Sequence, residues 1–241
     1  MIARCKVGVL QPDTVPPQFQ DEFGDYPLML RDVLERAATA DETFEWVVYD
    51  VSQGQYPAQP DECDAYVITG SRASVYDDED WIRTLEDYVR VLHAGQIKLV
   101  GICFGHQMVA RALGGETRGA DVGWGVGIAE SVVQHAADFM RPARSRFNLI
   151  VSHRDQVTTL PEQATLHAGS GFCPASMFSI GNHILALQGH PEFVAGYSAA
   201  LMDMRREVLG ESTWANGMAS LELENDRDLV ARWILNFLFA R

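Results

Sequence analysis

No two cysteines of this chain lie close enough in sequence to form a metal knuckle or a redox pair. The four, Cys5, Cys63, Cys103 and Cys173, are widely scattered, with no CxxC and no histidines at ligand spacing. That pattern argues against a zinc site and against the dense disulfide frame of a small secreted domain. Basic residues are scarce too: 19 Lys and Arg against 33 Asp and Glu leave a formal net charge of -14. So acidic a chain is a poor match for a nucleic-acid backbone or an anionic membrane as its main partner. Nowhere does an apolar run approach the ~20 residues that span a bilayer. The start, Met1-Ile2-Ala3-Arg4-Cys5-Lys6, lacks the apolar region and small-residue cleavage site of a secretory leader. Together these absences predict a protein of the reducing cytoplasm. Internal repeats, low-complexity tracts and a phosphate-loop signature are missing as well.

What is present is ordinary in bulk and specific in pattern. A chain of 241 residues, 47% hydrophobic and 22% charged, can bury one substantial core. Apolar runs at Lys6–Leu10, Phe44–Val51, Ala65–Thr69, Ile97–Ile102 and Ile184–Gln188 read as strands. Between them lie helical periods: Leu30, Val33, Leu34 and Ala37 after Pro27, and Trp81, Ile82, Leu85, Val89 and Leu92 after a cap at Asp77 or Asp78. A further helix follows Cys103 and stops at Gly114-Gly115. From about Thr117 to Ile180 the pattern turns to short strand-like pieces. Helices are predicted again near Gly196–Leu209 and at the end, through Leu229, Val230, Trp233, Ile234, Phe237 and Leu238, with Gly210–Asn225 as a loop between them. Alternation of this kind predicts an α/β fold, a mostly parallel central sheet flanked by helices.

Ligand sites of such sheets lie beyond the carboxyl ends of the strands, and Thr69-Gly70, Cys103 and His190 all fall at predicted strand ends. Gly101-Ile102-Cys103-Phe104-Gly105-His106-Gln107 sets a cysteine between glycines where a strand ends and a helix begins. The spacing is that of a nucleophile elbow, and the unpaired N–H groups of a helix start favour a thiolate. Gln188-Gly189-His190-Pro191-Glu192 offers a histidine and an acid on one side of an extended segment, because Pro191 biases His190 away from helical geometry. Ser152-His153-Arg154-Asp155 supplies a competing histidine near an acid. The backbone N–H of Phe104 is one natural oxyanion donor, and Thr69-Gly70-Ser71 offers another. Gly123-Trp124-Gly125-Val126-Gly127 lacks phosphate-loop spacing and reads as a pocket wall or hairpin.

Taken together, these segments resemble the class I (triad-type) glutamine amidotransferases, whose domain is flavodoxin-like. They are closest to the branch similar to the glutaminase domain of GMP synthase. The resemblance covers roughly residues 5 to 195; residues 1–200 are read as the domain and 201–241 as a helical extension packed on it. It implies that Cys103 attacks the side-chain amide of glutamine to form a γ-glutamyl thioester. His190, oriented by Glu192, would move the proton, and Gly70 and Phe104 would form the oxyanion hole. Gln107, Ser152, His153, Arg154 and Asp155 would hold the substrate, and no metal or organic cofactor is implied. Only about fifty residues follow Glu192, too few for a fused nucleotide-binding synthetase domain. A separate synthase partner stays open, as does a γ-glutamyl peptide in place of glutamine. A third alternative is a non-catalytic glutamine-binding or partner protein, which the complete Cys, His and Glu set disfavours.

Overall fold

Strand β1, Ala3–Gln11, runs through the middle of the apolar interior in the computed structural model, which describes residues 2–240. Its residues Val7 and Val9 face one side of the sheet and Leu10 the other. Two short helices follow, α1 (Pro17–Phe23) and α2 (Tyr26–Ala37). The chain returns as β2 (Glu42–Asp50) and β3 (Ala65–Ile68), then α3 (Asp80–Ala94), β4 (Lys98–Ile102) and α4 (Phe104–Ala112). Six strands come next: β5 (Glu116–Gly119), β6 (Gly125–Val133), β7 (Arg146–His153), β8 (Asp155–Thr159), β9 (Ala164–Gly169) and β10 (Met177–Ile180). After β11 (Ile184–Leu187) the chain is helical: α5 (Ala195–Met204), α6 (Arg206–Leu209), α7 (Glu211–Ser220) and α8 (Arg227–Phe239).

The main sheet has nine strands in the order β2-β1-β3-β4-β11-β10-β9-β6-β7. Its first five are parallel neighbours, and from β11 onward each pairing is antiparallel. The inner parallel strands β3, β4 and β11 are covered on both faces and so are apolar and buried almost throughout, whereas edge strand β2 is mixed. Ala65 and Val67 of β3 join α2 and α8 in one core cluster, whereas Tyr66 and Ile68 join α3 and α4 in the other. Burying a large apolar side chain stabilises by about 1.5–3 kcal/mol, and Trp233, Ile234 and Phe237 give α8 a continuous stripe of them against the first cluster. A separate pair, β5 and β8, forms a small antiparallel ribbon that carries Asp155 at its end. The predicted α/β class and mostly parallel sheet are what the fold contains.

Three local expectations are corrected, and one helix was not anticipated. Gly210–Asn225 is no loop, since α7 occupies Glu211–Ser220. That helix buries only Gly217, against Val126 and Met202, so it carries no apolar stripe to announce itself. Helix α1 escaped notice for the same reason: none of its residues is buried. The helix expected over Gly196–Leu209 breaks at Arg205, between α5 and α6. Neither Asp77 nor Asp78 caps α3; Glu79 holds that position without a side-chain bond, while the Asp77 carboxylate accepts from the Ser74 N–H at 2.8 Å.

Candidate active site

Cys103 stands between β4 and α4 with φ 53° and ψ -100°, a conformation that L residues rarely adopt. Two close approaches hold it there. A Cβ on Gly101 would lie 2.5 Å from the Gly105 carbonyl oxygen, and a Cβ on Gly105 would lie 2.5 Å from the carbonyl oxygen of Ile68. Only glycine lets the first turn of α4 press onto the ends of β3 and β4. The Cys103 N–H donates to the Leu187 carbonyl at 2.9 Å, which ties the elbow to the end of β11. From that same strand end the chain continues to His190.

His190 is almost fully buried, and its Nδ1 lies 2.7 Å from Glu192 Oε1. An acceptor-only carboxylate at that distance assigns the Nδ1 proton and leaves Nε2 for the thiol. Burial alone would lower the imidazole's pKa, but Glu192 and the Cys103 sulfur outweigh it and raise it to about 10. The ring also lies flat on Phe193, with centroids 3.9 Å and planes 13° apart. The loop's backbone is pinned twice: His190 N–H donates to the Ile150 carbonyl at 2.8 Å, and Arg227 of α8 donates to the carbonyls of Pro191 and Glu192.

The second histidine candidate lacks an acid. His153 is buried, and its Nδ1 meets the backbone carbonyl of Asp155 at 3.1 Å rather than a carboxylate. Burial and the neighbouring His190 charge lower its pKa to about 4, so it is neutral at pH 7. The Asp155 carboxylate instead accepts from the hydroxyls of Ser74 and Tyr76. Ser152 Oγ accepts from Arg205 at 3.1 Å, and Arg154 is exposed at the cavity edge. Gln107 Nε2 donates to the Asp155 carbonyl at 2.9 Å and to Gln188 Oε1 at 3.1 Å. Both amide hydrogens are thereby used, and its Oε1 is what remains for a ligand. A Cβ on Gly70 would lie 3.2 Å from His190 Cε1 and 3.9 Å from Cys103 Cβ, so the Gly70 backbone borders both groups. Among the described residues, neither the Gly70 N–H nor the Phe104 N–H donates to a protein acceptor.

One cavity of about 560 Å³ gathers Gly70, Cys103, Gln107, His190 and the whole Ser152–Asp155 segment. Phe104 lies behind it, fully buried against Trp81. Trp124 lines the cavity and Gly125 opens β6, so the glycine-rich stretch is both wall and hairpin strand. Sequence reasoning missed Tyr26, Phe193 and Arg205 on the same wall. Phe193 had one available signal, its position directly after Glu192. Among the described residues, no group of three or more His, Cys, Asp and Glu is placed to hold a metal ion. Among the described residues, no helix is long and apolar enough to cross a membrane. The arrangement brings a thiol, an imidazole with an oriented proton and the Gly70 backbone to one cavity, parts that acyl transfer uses.

Comparison with known proteins places the chain in a family. The model of the family "Glutamine amidotransferase class-I" matches residues 32–203. Gamma-glutamyl peptidase 3 of Arabidopsis thaliana is 39% identical over 159 residues, 62% of this chain and 63% of that protein. The chain thus matches less than two thirds of that relative's length. A glutamine amidotransferase-like protein of Schizosaccharomyces pombe is 30% identical over 247 residues, 96% of this chain and 98% of the relative. Among solved structures, a glutamine amidotransferase from Thermotoga maritima has a TM-score of 0.76 at 19% identity, with all of both chains covered. At that identity the likeness speaks for the fold.

Proposed function

Because the chain belongs to the class-I glutamine amidotransferase family, we propose that it is a cysteine-dependent hydrolase of γ-glutamyl amide bonds. The observation that carries this reading is Cys103 at its positive-φ elbow beside a histidine bonded to Glu192 at 2.7 Å. The Cys103 thiol gives its proton to His190 Nε2, its sulfur attacks the γ-carbonyl carbon, and the oxygen becomes an oxyanion facing the N–H groups of Gly70 and Phe104. The C–N bond breaks as His190 gives its Nε2 proton to the leaving nitrogen. Water then attacks the γ-glutamyl thioester, His190 takes a proton from it, and the C–S bond breaks to release glutamate. Glu192 keeps the imidazole in one tautomer and balances its charge. The substrate's α-ammonium faces Asp155, Gln107 lines the glutamyl end, and Ser152 lines the cavity beside Arg205. His153 and Arg154 complete that wall without taking part in proton transfer. Residues 201–241 act as a helical extension of the same domain, since α8 packs on α2 and β1 and Arg227 grips the His190 loop.

Glutamine is the smallest substrate of this class, with ammonia as its leaving group. Two observations favour γ-glutamyl peptides as well. Relatives named gamma-glutamyl peptidases are 34% to 39% identical, and a 560 Å³ cavity belongs with pockets that enclose ligands well above a free amino acid in size. The test is to follow glutamate release from glutamine and from γ-glutamyl dipeptides with the isolated protein. Release from either supports the reading. Release from neither, with or without candidate synthase partners, contradicts it and favours a binding role.

A further inference from the structure

We propose that Arg205 is a specificity-determining residue that binds a carboxylate on the leaving group. The enzyme would therefore select γ-glutamyl amides whose departing amine is an amino acid or peptide. This rests on the γ-glutamyl hydrolase reading above and goes beyond it by naming what lies on the far side of the scissile bond.

Three arginines line the cavity, and they differ in how their charge is satisfied. Arg72 is committed to Asp13, with two side-chain contacts at 2.8 Å. Arg154 is exposed to solvent. Arg205 is half-buried, and among the described residues no carboxylate oxygen lies within 4 Å of it. Its guanidinium is nevertheless held in place. Nη1 donates to Ser152 Oγ at 3.1 Å, and the guanidinium carbon lies 5.9 Å from the centre of the Trp124 ring. The backbone is anchored as well, because the Arg205 N–H closes α5 on the carbonyls of Leu201 and Met202 at the break before α6. A guanidinium has five donors in a planar fork that suits a carboxylate. One side-chain bond leaves most of that fork free.

The position also tells which carboxylate it fits. The one acidic side chain on the cavity wall is Asp155. Its neighbours are Ser74, Tyr76, Gln107 and His153, which bond its carboxylate or its carbonyl. The partners of Arg205 are Ser152 and Trp124, so the two sets share no residue. In a γ-glutamyl substrate the α-ammonium and α-carboxylate hang from one carbon. With the ammonium at Asp155, the α-carboxylate is confined to that end. Arg205, from the α5–α6 break, lines the cavity along with Tyr26, Phe193 and Leu201, none of which bonds Asp155. A second carboxylate, carried by the leaving amine, is the group that reaches it.

Charge can be removed from either side to test this. The substrates are γ-glutamylglycine, its C-terminal amide and glutamine, assayed with the native protein and with Arg205→Ala and Arg205→Lys. The native protein should hydrolyse the acid with kcat/KM on the order of tenfold above the amide, as one charge-assisted contact implies. Arg205→Ala should bring that ratio close to one, mainly through KM on the acid, and leave glutamine within about threefold. Arg205→Lys should recover part of the preference. An unchanged ratio in Arg205→Ala overturns the proposal. So does an equal loss on all three substrates, which would assign Arg205 to the α-carboxylate. A native protein that does not discriminate acid from amide overturns it without touching the parent reading. Absence of turnover on every substrate overturns the parent reading, and the proposal with it.

Discussion

The imidazole of His190 is held by a carboxylate and a ring: its Nδ1–H donates to Glu192 at 2.7 Å, and Phe193 covers its face at 3.9 Å. Phe193 is itself backed by Tyr26, whose ring stacks at 6.0 Å, and by Tyr197 edge-on at 4.8 Å. The aromatic group thus fixes the ring's tilt, while Glu192 fixes its rotation. Phe193→Leu should remove the flat surface and keep most of the volume. A fall in kcat of about tenfold with little change in KM is expected. Steady-state kinetics on a γ-glutamyl substrate check this, and an unchanged kcat would mean that Glu192 positions the ring alone.

Gly70 gives a prediction of the opposite kind, in which an atom is added. Its Cβ would sit 3.2 Å from His190 Cε1, against a ring that Phe193 prevents from yielding. Gly70→Ala should therefore cut kcat by at least tenfold. The stability loss should stay near the ~1–3 kcal/mol typical of an overpacked site. Comparing kcat with the urea midpoint separates the two effects. Full activity in Gly70→Ala would remove Gly70 from the site.

Two buried neutral histidines set the acid side of the stability profile. Burial lowers the pKa of His106 to about 3 and, with His190 nearby, that of His153 to about 4. Below the unfolded value near 6.5 the unfolded chain takes up protons that the folded chain refuses. Stability is therefore intact above pH ~6.5, falls as the pH drops toward the folded-state values, and levels off beneath them. His190 has the opposite sign, with its folded pKa raised to about 10. Its contribution is complete below pH ~6.5 and is lost as the pH rises through the folded value. The urea midpoint should drop clearly between about pH 7 and about pH 5, by on the order of several kcal/mol in unfolding free energy. A flat midpoint over that window would contradict the neutral, buried assignment.

The thiols should separate by reactivity as well as by place. Burial pushes both Cys5 and Cys173 up to about 12, which leaves almost no thiolate at neutral pH. Brief treatment of the native protein with iodoacetamide should modify Cys103 and leave Cys5 and Cys173 untouched by peptide mass mapping. Rapid modification of Cys173 would contradict this.

The residues that were legible in the sequence are those whose type and spacing are set locally. Val67 and Ile68 in β3, or Val100 and Ile102 in β4, are apolar because both faces of the parallel sheet are covered. Gly101, Cys103 and Gly105 announce an elbow because only small residues let α4 pack so near the strand ends. His190 and Glu192 were legible as a pair from their spacing, although what joins them is a turn through Pro191 and Glu192, with Phe193 N–H donating to the His190 carbonyl at 3.4 Å, and not the extended segment expected. What escaped notice depends on distant partners. Helix α7 is stable because Gly217 lets it rest on β6, and nothing within its own ten residues shows that. Arg205 looks like any helical arginine until Ser152 and Trp124 are brought beside it. Tyr26 is separated from Phe193 by most of the chain and meets it only through the stacking of their rings.

The central claim is that Cys103 carries a γ-glutamyl group during turnover. Acid quenching of the protein during steady-state hydrolysis of a γ-glutamyl dipeptide, followed by peptide mass spectrometry, tests it most directly. A γ-glutamyl adduct is expected on Cys103, absent in Cys103→Ala and unaffected by Cys63→Ala. Turnover that persists in Cys103→Ala, or an adduct on any other cysteine, would contradict the account.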